Sequence, residues 1–101
     1  MNDEQKIRAT FQTYFDSLHE SSADKAHAAF HPNAMIVGYL DDGLHEMNLQ
    51  EFADFVAAQQ PSPEAQGQTP RTEVLSVFIA GNTAAAQVRE DYLGLTFLDL
   101  L

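Results

Sequence analysis

The last third of the sequence constrains the fold most, because three predicted strands follow one another there with very short connections. β-branched, aromatic and other apolar residues predict strands over Thr72–Ala80, Thr83–Leu93 and Leu95–Leu101. The connections are Gly81-Asn82 and Leu93-Gly94, and connections of two residues join antiparallel strands. The sequence therefore predicts an antiparallel meander at the end of this 101-residue chain.

The lengths of the two turns predict which residues lie opposite each other. The first turn pairs Leu75 with Val88. The second turn pairs Val88 with Asp99, and Glu90 with Phe97. Cross-strand partners share one face of a sheet, and this face is largely apolar. It is therefore expected to pack on the helices.

The same face carries polar side chains, namely Glu73, Glu90 and Asp99, with Tyr92 beside them. Burying a carboxyl group against helices costs free energy unless the group is hydrated, paired or protonated. The pattern therefore predicts a cavity lined by polar groups. The opposite face is mixed and suits solvent or a partner subunit. Its predicted cross-strand pairs are Phe78 with Ala85, Ser76 with Gln87 and Val74 with Arg89.

The first part of the chain predicts helices. Apolar residues at helical spacing indicate an amphipathic helix from residue 2 to about residue 20, and Asn2 with Gln5 matches a capping box. Ser21 or Ser22 then ends this helix and caps a short second one over Ala23–Phe30. The apolar stripe of the first helix is Ile7, Phe11, Tyr14, Phe15 and Leu18.

A short hairpin and a third helix follow. Met35–Leu40 and Leu44–Met47 are predicted as strands around the turn dipeptide Asp42-Gly43. The third helix is predicted over Leu49–Gln59, and the polar stretch Gln60–Pro70 is predicted as an exposed loop. Asn48 and Glu51 match a second capping box, and the predicted inward face is Leu49, Phe52, Phe55 and Val56.

Charge and composition exclude several classes of function. The 15 Asp and Glu residues exceed the 5 Lys and Arg residues, so the net charge is −10 at pH 7. This charge repels phosphate backbones and anionic lipid headgroups, so neither nucleic acid nor a membrane surface is an expected partner. The absence of cysteine excludes disulfides and thiolate metal sites. The start lacks the pattern of a signal peptide, so a cytoplasmic location is expected.

The order of elements resembles the nuclear transport factor 2-like superfamily, whose fold is a cone-shaped α+β domain. The closest resemblance is to its putative lumazine-binding, or SnoaL-like, family. The segments that carry it are Phe30-His31-Pro32-Asn33-Ala34, Ala80-Gly81-Asn82-Thr83-Ala84, Asp91-Tyr92-Leu93-Gly94 and Phe97-Leu98-Asp99. The resemblance implies a strongly bent, mixed but mostly antiparallel sheet wrapped around three helices. It also implies a pocket at the open end and a homodimer through the outer sheet face.

One feature departs from the superfamily pattern. Members end with a further strand between the first and fifth strands, whereas this sequence stops at Leu101 inside an apolar strand. Residues 1–101 are therefore expected to form a single domain that is truncated at its C-terminus. The alternative is that a partner chain supplies the strand by exchange.

The resemblance also suggests candidate catalytic residues. Tyr14 matches the oxyanion-hole tyrosine of ketosteroid isomerase, and Asp99 matches its protonated aspartic acid. The position of that enzyme's general base holds Gly38 here, so the isomerase hypothesis fails without another base. Glu90 is the best replacement, because a buried carboxyl near a second one has a raised pKa. The alternatives are a core tyrosine at Tyr14, a rim carboxylate at Asp99, and Glu90 paired with Arg71 or exposed to water.

Two main hypotheses for the function follow. The first is a small-molecule-binding domain with an apolar pocket and a few polar groups. The second is an isomerase, dehydratase or cyclase that acts on a neutral ring by proton transfer through Tyr14, Glu90 and Asp99. The sequence does not decide whether the chain is an enzyme, and a protein–protein module is a third possibility. The other predicted ligand-binding residues are Phe15, Phe30, His31, Phe55, Tyr92 and Phe97.

Neither a cofactor nor a metal ion is expected. Asp24, His27 and His31 have a spacing that can place ligands on one helix face. However, no glutamate follows His27, and Pro32 ends the helix at His31. Asp41-Asp42 is interpreted as part of a turn, with a cation site as a distant alternative.

Overall fold

A computed structural model describes residues 2–40, 43–81 and 83–101 of the chain. Within these residues, three helices precede and flank a short hairpin, and a three-stranded meander follows. The predicted turn residues Asp41, Asp42 and Asn82 lie outside the described residues. The elements are α1 (Asp3–Glu20), α2 (Ala23–Ala29), β1 (Met35–Leu40), β2 (Gly43–Asn48), α3 (Leu49–Ala57), β3 (Thr72–Ala80), β4 (Thr83–Tyr92) and β5 (Leu95–Leu100).

The predicted caps fix the starts of the helices. The Asn2 side chain accepts a hydrogen bond from the Gln5 backbone N–H at 2.8 Å, and the Gln5 side chain accepts one from the Asn2 N–H. Asn48 and Glu51 repeat this capping box at α3. Ser21 ends α1 in the left-handed conformation, whereas Ser22 caps α2 by accepting from a backbone N–H. Each capping box provides hydrogen-bond acceptors for two backbone N–H groups that have no partner within the helix.

Helix α3 ends at Ala57, two residues before the predicted end. The Ser21 hydroxyl donates a hydrogen bond of 2.6 Å to the carbonyl of Gln59. In the following loop, the N–H of Glu64 donates to the carbonyl of His19 at 2.9 Å. The chain after α3 is therefore held against the end of α1 by polar contacts.

The strands form two antiparallel sheets, one of β1 and β2 and one in the order β3-β4-β5. The predicted α+β class is confirmed, and within the described residues the two sheets share no hydrogen-bonded strand pair. The predicted register of β4 with β5 is also confirmed, since Val88 pairs with Asp99 and Glu90 with Phe97. Leu93 and Gly94 form the turn with φ of 53° and 77°, as a tight hairpin requires.

The register of β3 with β4 differs from the prediction at one end. Pairs from Ser76 to Ala80 follow the predicted alignment, but a β-bulge between Val74 and Ser76 shifts the rest by one residue. Val74 therefore pairs with Val88, in place of the predicted Leu75. A bulge inserts one unpaired residue and reverses the facing of all residues beyond it.

The bulge moves one predicted site residue to the other side of the sheet. Glu73 pairs with Arg89, and the two side chains form an exposed salt bridge of 2.5 Å. The prediction that Glu73 faces the helices is therefore wrong, as is the predicted pairing of Val74 with Arg89. The salt bridge lies on the outer face and is open to water, so its contribution to stability is small.

The core lies between the helices and the inner face of the three-stranded sheet. The predicted stripe of α1 is confirmed, with Ile7 partly buried and the other four residues buried. In α3, Phe55 is only partly buried, and the small side chain of Ala53 is fully buried. The buried cluster is Phe11, Tyr14, Phe15, Leu18, Ala26, Phe52, Ala53, Val56, Ala86, Val88 and Tyr92.

Candidate functional site

Tyr14 lies at the centre of a polar cluster between α1 and the sheet. Its hydroxyl oxygen is 2.8 Å from Oε1 of Glu90 on β4 and 2.8 Å from Oδ2 of Asp99 on β5. The helical spacing of α1 turns Tyr14 inward, and the register of β4 with β5 places both carboxyls on the facing side. The three residues predicted to be catalytic are thus in direct contact.

The number of protons in this cluster follows from its geometry. A tyrosine hydroxyl has one proton and can donate one full hydrogen bond. Two carboxyl oxygens contact the Tyr14 oxygen at hydrogen-bonding distance, so one carboxyl must itself donate a proton to it. Glu90 is the more buried of the two, with 2% of its surface exposed, whereas Asp99 is partly buried. We therefore assign the carboxyl proton to Glu90.

Burial is the main electrostatic effect at the cluster. Loss of hydration, together with the adjacent Asp99 carboxylate, raises the pKa of Glu90 to about 9, although the hydrogen bond between Glu90 and Tyr14 opposes this. Burial, followed by the charges of Asp99 and Glu90, raises the pKa of Tyr14 far above its ordinary value. At neutral pH the glutamic acid and the phenol are both protonated.

The alternatives for Glu90 are not what the structure shows. Its carboxyl group contacts Tyr14 in place of the predicted partner Arg71, and it is almost fully buried. Tyr14 does pack as a core tyrosine with a satisfied hydroxyl, but the groups that satisfy it are two carboxyls. Tyr14 is therefore part of the hydrophobic core and of the polar cluster at the same time.

Aromatic rings surround the buried side of Tyr14. The Phe15 ring is 5.6 Å from the Tyr14 ring, and the Phe30 ring meets it edge to face at 5.4 Å, measured between centroids. Phe52 of α3 is 6.3 Å away and also meets Phe30 edge to face. Such packing fixes the ring direction and hence the position of the hydroxyl group. Phe52 was predicted only as part of the α3 inward face.

Two buried polar atoms near the cluster have no hydrogen-bond partner within the described residues. They are Oε2 of Glu90 and the hydroxyl of Tyr92, whose residue is 7% exposed. Both residues lie on the inner face of β4, two positions apart. Burial raises the pKa of Tyr92 to about 12, so its hydroxyl stays protonated. Unpaired buried polar atoms are costly, and they mark places where a bound group would find partners.

The remaining predicted ligand-binding residues divide into two sets. Phe97 is partly buried and lies opposite Glu90 in the sheet, so it borders the cluster. Phe55 is partly buried on α3 without a ring contact to Tyr14. His31 is exposed, and its Nδ1 accepts a hydrogen bond from the Asn33 N–H at 3.0 Å. A ligand role for these residues stays a prediction.

Two open clefts lie elsewhere on the described chain. One, of about 400 Å³, lies among charged residues at the start of β3. The other, of about 340 Å³, lies between the loop after α3 and the β4–β5 turn. Neither has Tyr14, Glu90 or Asp99 in its lining.

The described residues contain neither a cluster of metal ligands nor a helix suited to a membrane. No group of three or more His, Cys, Asp and Glu side chains in residues 2–40, 43–81 and 83–101 is placed to hold a metal ion. In the same residues, no helix is both long and apolar enough to cross a membrane.

Comparison with known proteins identifies the family. The model of the family described as Putative lumazine-binding matches residues 2–101. The chain belongs to the putative lumazine-binding family. The resemblance stated from the sequence is thereby confirmed, and a small-molecule ligand is the kind of partner that this membership indicates. No curated protein matches the chain.

Two solved structures share the fold of this putative lumazine-binding domain. An NTF-2-like protein of unknown function from Silicibacter pomeroyi is 22% identical with a TM-score of 0.83, over 100% of this chain and 84% of that one. An NTF2-like protein of unknown function from Shewanella baltica is 23% identical with a TM-score of 0.79, over 99% and 82%. At these identities the likeness shows the fold alone, which is the predicted nuclear transport factor 2-like one.

Proposed function

We propose that this protein binds a small molecule through the polar cluster of Tyr14, Glu90 and Asp99. The observation that carries the proposal is the convergence of two carboxyl groups on one buried hydroxyl. An apolar core tyrosine needs one hydrogen-bond partner, and burying a second carboxyl beside it costs hydration energy. Membership of the putative lumazine-binding family supports a ligand-binding role.

Catalysis by proton transfer is the weaker alternative. It is supported by the contact of Glu90 with Tyr14 and by the raised pKa of Glu90. However, an efficient acid or base has a pKa near the working pH, and the pKa of Glu90 is raised beyond it, to about 9. The solved relatives are of unknown function, so the comparisons add no reaction. Binding is the function that the geometry supports best.

Tyrosine NMR tests the binding proposal directly. The chain has three tyrosines, so a sample with ¹³C-labelled tyrosine rings gives few signals, and the Tyr14→Phe variant assigns one of them. Molecules from a fragment library that bind are expected to shift the signals of Tyr14 and Tyr92. Tyr14→Phe is expected to weaken the affinity for these molecules about five- to tenfold, because one hydrogen bond contributes about 1 kcal/mol.

A matched variant controls this test. Thr10→Val changes an exposed hydroxyl on the same helix, which donates only to the Lys6 carbonyl, and it is expected to leave affinity within twofold. Binders that leave the signals of Tyr14 and Tyr92 unchanged would contradict the proposed site.

We also propose that the protein forms a homodimer through the outer face of the β3-β4-β5 sheet. Phe78 is 69% exposed there, and Leu98 is also exposed, which is unusual for large apolar side chains on a sheet that faces only water. Phe78→Glu is expected to convert a dimer into a monomer in sedimentation velocity at about 50 μM. Val37→Glu, on the exposed face of the other sheet, is the matched control and should stay dimeric. A parent protein that sediments as a monomer would refute this proposal.

Two further expectations from the sequence remain proposals. One is a cytoplasmic location. The other is that residues 1–101 form a single domain whose sheet is completed by a strand that follows in a longer chain or comes from a partner.

A further inference from the structure

The polar cluster has more hydrogen-bond acceptors than donors. Glu90 and Asp99 present four carboxyl oxygens, and Tyr14 and Tyr92 add two hydroxyl oxygens. The available protons are those of the two hydroxyls and the one carboxyl proton assigned to Glu90. Oε2 of Glu90 and the Tyr92 hydroxyl are buried and unpaired. The cluster therefore lacks donors, and a group that brings N–H bonds would satisfy it.

The cluster also lacks a positive charge. In the part of the chain that the structure describes, the salt bridges of Arg8, Lys25 and Arg89 go to Glu4, Glu20 and Glu73, and not to Glu90 or Asp99. A partly buried aspartate beside a buried glutamic acid is favourable only when a cation or strong donors accompany it. The net charge of −10 adds to the attraction of cations over the whole surface.

The inner face of β5 provides access to the cluster. Cross-strand pairing places Leu95 and Leu101 on the same face as Asp99, yet they are 43% and 40% exposed. The helices therefore leave the two ends of this face uncovered, whereas Phe97, between Leu95 and Asp99, packs against the core. A ligand that lies along β5 could contact these apolar side chains while its polar end meets Asp99 and the cluster behind it.

We propose that the ligand of this site is a cationic amine on an apolar or aromatic body, with its ammonium group bound between Asp99, Glu90 and Tyr92. This inference rests on the proposed binding function and names its ligand class. A primary ammonium brings three N–H bonds, and two of them match the acceptors that lack a donor, namely Oε2 of Glu90 and the Tyr92 hydroxyl oxygen. The partly buried Phe97 offers an aromatic ring, which attracts cations.

Binding of the amine is coupled to release of a proton. The protonated Glu90 carboxyl loses its proton to the solvent when the ammonium arrives, because the carboxylate then has a cationic partner. The groups that face Glu90 are Tyr14 from α1, Asp99 from β5, Tyr92 on its own strand and the non-titrating Thr72 from β3. Tyr14 and Tyr92 stay protonated at neutral pH, so Glu90 is the source of the proton.

Three probes with one apolar body test the ligand class. They are 3-phenylpropylamine, 3-phenylpropan-1-ol and 3-phenylpropanoate, which differ only in the polar end. Calorimetry at pH 7 with the tyrosine-labelled chain is expected to show the amine binding at least tenfold more tightly than the alcohol, with no binding of the acid. Titrations in two buffers of different ionisation enthalpy are expected to show release of close to one proton with the amine.

Two variants test whether the amine binds at Glu90. Glu90→Gln is expected to abolish proton release and to weaken the amine at least tenfold, whereas Glu46→Gln, an exposed carboxyl on β2, retains both. Equal or tighter binding of the alcohol or the acid, with shifts at Tyr14 and Tyr92, would overturn the amine proposal and leave the proposed function in place. Binding of none of the three probes would overturn the amine proposal, and the fragment screen would then decide the proposed function separately.

Discussion

Glu90→Gln is expected to make the folded chain more stable than the parent protein at neutral and alkaline pH. In the folded parent protein the pKa of Glu90 is about 9. In the unfolded chain Glu90 has the ordinary glutamate pKa of about 4.3. Between these two pH values the unfolded state binds one proton fewer than the folded state. Its free energy therefore falls relative to the folded state as pH rises, and the stability of the parent declines.

The size of the effect follows from one proton. The free energy of unfolding of the parent is expected to fall by about 1.4 kcal/mol per pH unit through this window, relative to the variant. Glutamine keeps the shape of the side chain and does not titrate, so the variant lacks this fall in the free energy of unfolding with rising pH. The stability difference is therefore expected to grow by roughly 2–3 kcal/mol between pH 5 and pH 7.

Urea denaturation of both proteins at pH 5, 6, 7 and 8 measures this difference. Glu46→Gln removes the same charge at an exposed position, so its difference from the parent should stay nearly constant with pH. A stability difference for Glu90→Gln that is flat with pH would mean that Glu90 is ionised in the folded state, and the assignment of the shared proton to it would be wrong.

The alignment of β4 with β5 could be predicted from the sequence because a two-residue turn leaves one register. Leu93-Gly94 fixed the facing of Glu90 and Asp99, and the helical spacing of α1 fixed that of Tyr14. Local rules therefore brought the three cluster residues to opposite sides of one interface. Their contact then required only that α1 pack on this sheet, which the superfamily resemblance implied.

The bulge in β3 could not be predicted in the same way. Leu75 is apolar like Val74 before it, and no glycine or proline marks the position. The shift is decided by tertiary packing, since it places Val74 against the core and leaves Leu75 more exposed. Glu73 was misplaced for this reason alone. An error of one residue in a strand inverts its facing, which helix predictions tolerate better.

The shared proton and the contact of Phe52 with Tyr14 also lie beyond the sequence. Both depend on distances between elements that are far apart along the chain, namely α1, α3 and β4. The sequence patterns predicted that Phe52 is inward and that Glu90 is buried. They did not predict which groups each would contact.

Phe52→Ala is expected to lower the free energy of unfolding by about 3–5 kcal/mol, the usual cost of removing a buried phenylalanine ring. Phe52 is 8% exposed, and its ring lies 5.9 Å from Phe30 and 6.3 Å from Tyr14, between centroids. A domain of this size has a total stability of about 5–15 kcal/mol. The variant would therefore lose a large part of it, and the measurement is urea denaturation at pH 6.

Two variants show whether the cost comes from the ring packing. Gln50→Ala introduces alanine at an exposed position of the same helix and is expected to change stability by no more than about 0.5 kcal/mol. Phe52→Leu keeps most of the apolar volume and should recover much of the loss. Because the Phe52 ring also supports Tyr14, Phe52→Leu is expected to shift the Tyr14 ring signal and weaken ligand binding while remaining folded. A cost below about 1 kcal/mol for Phe52→Ala would show that this ring does not hold Tyr14 against the two carboxyls.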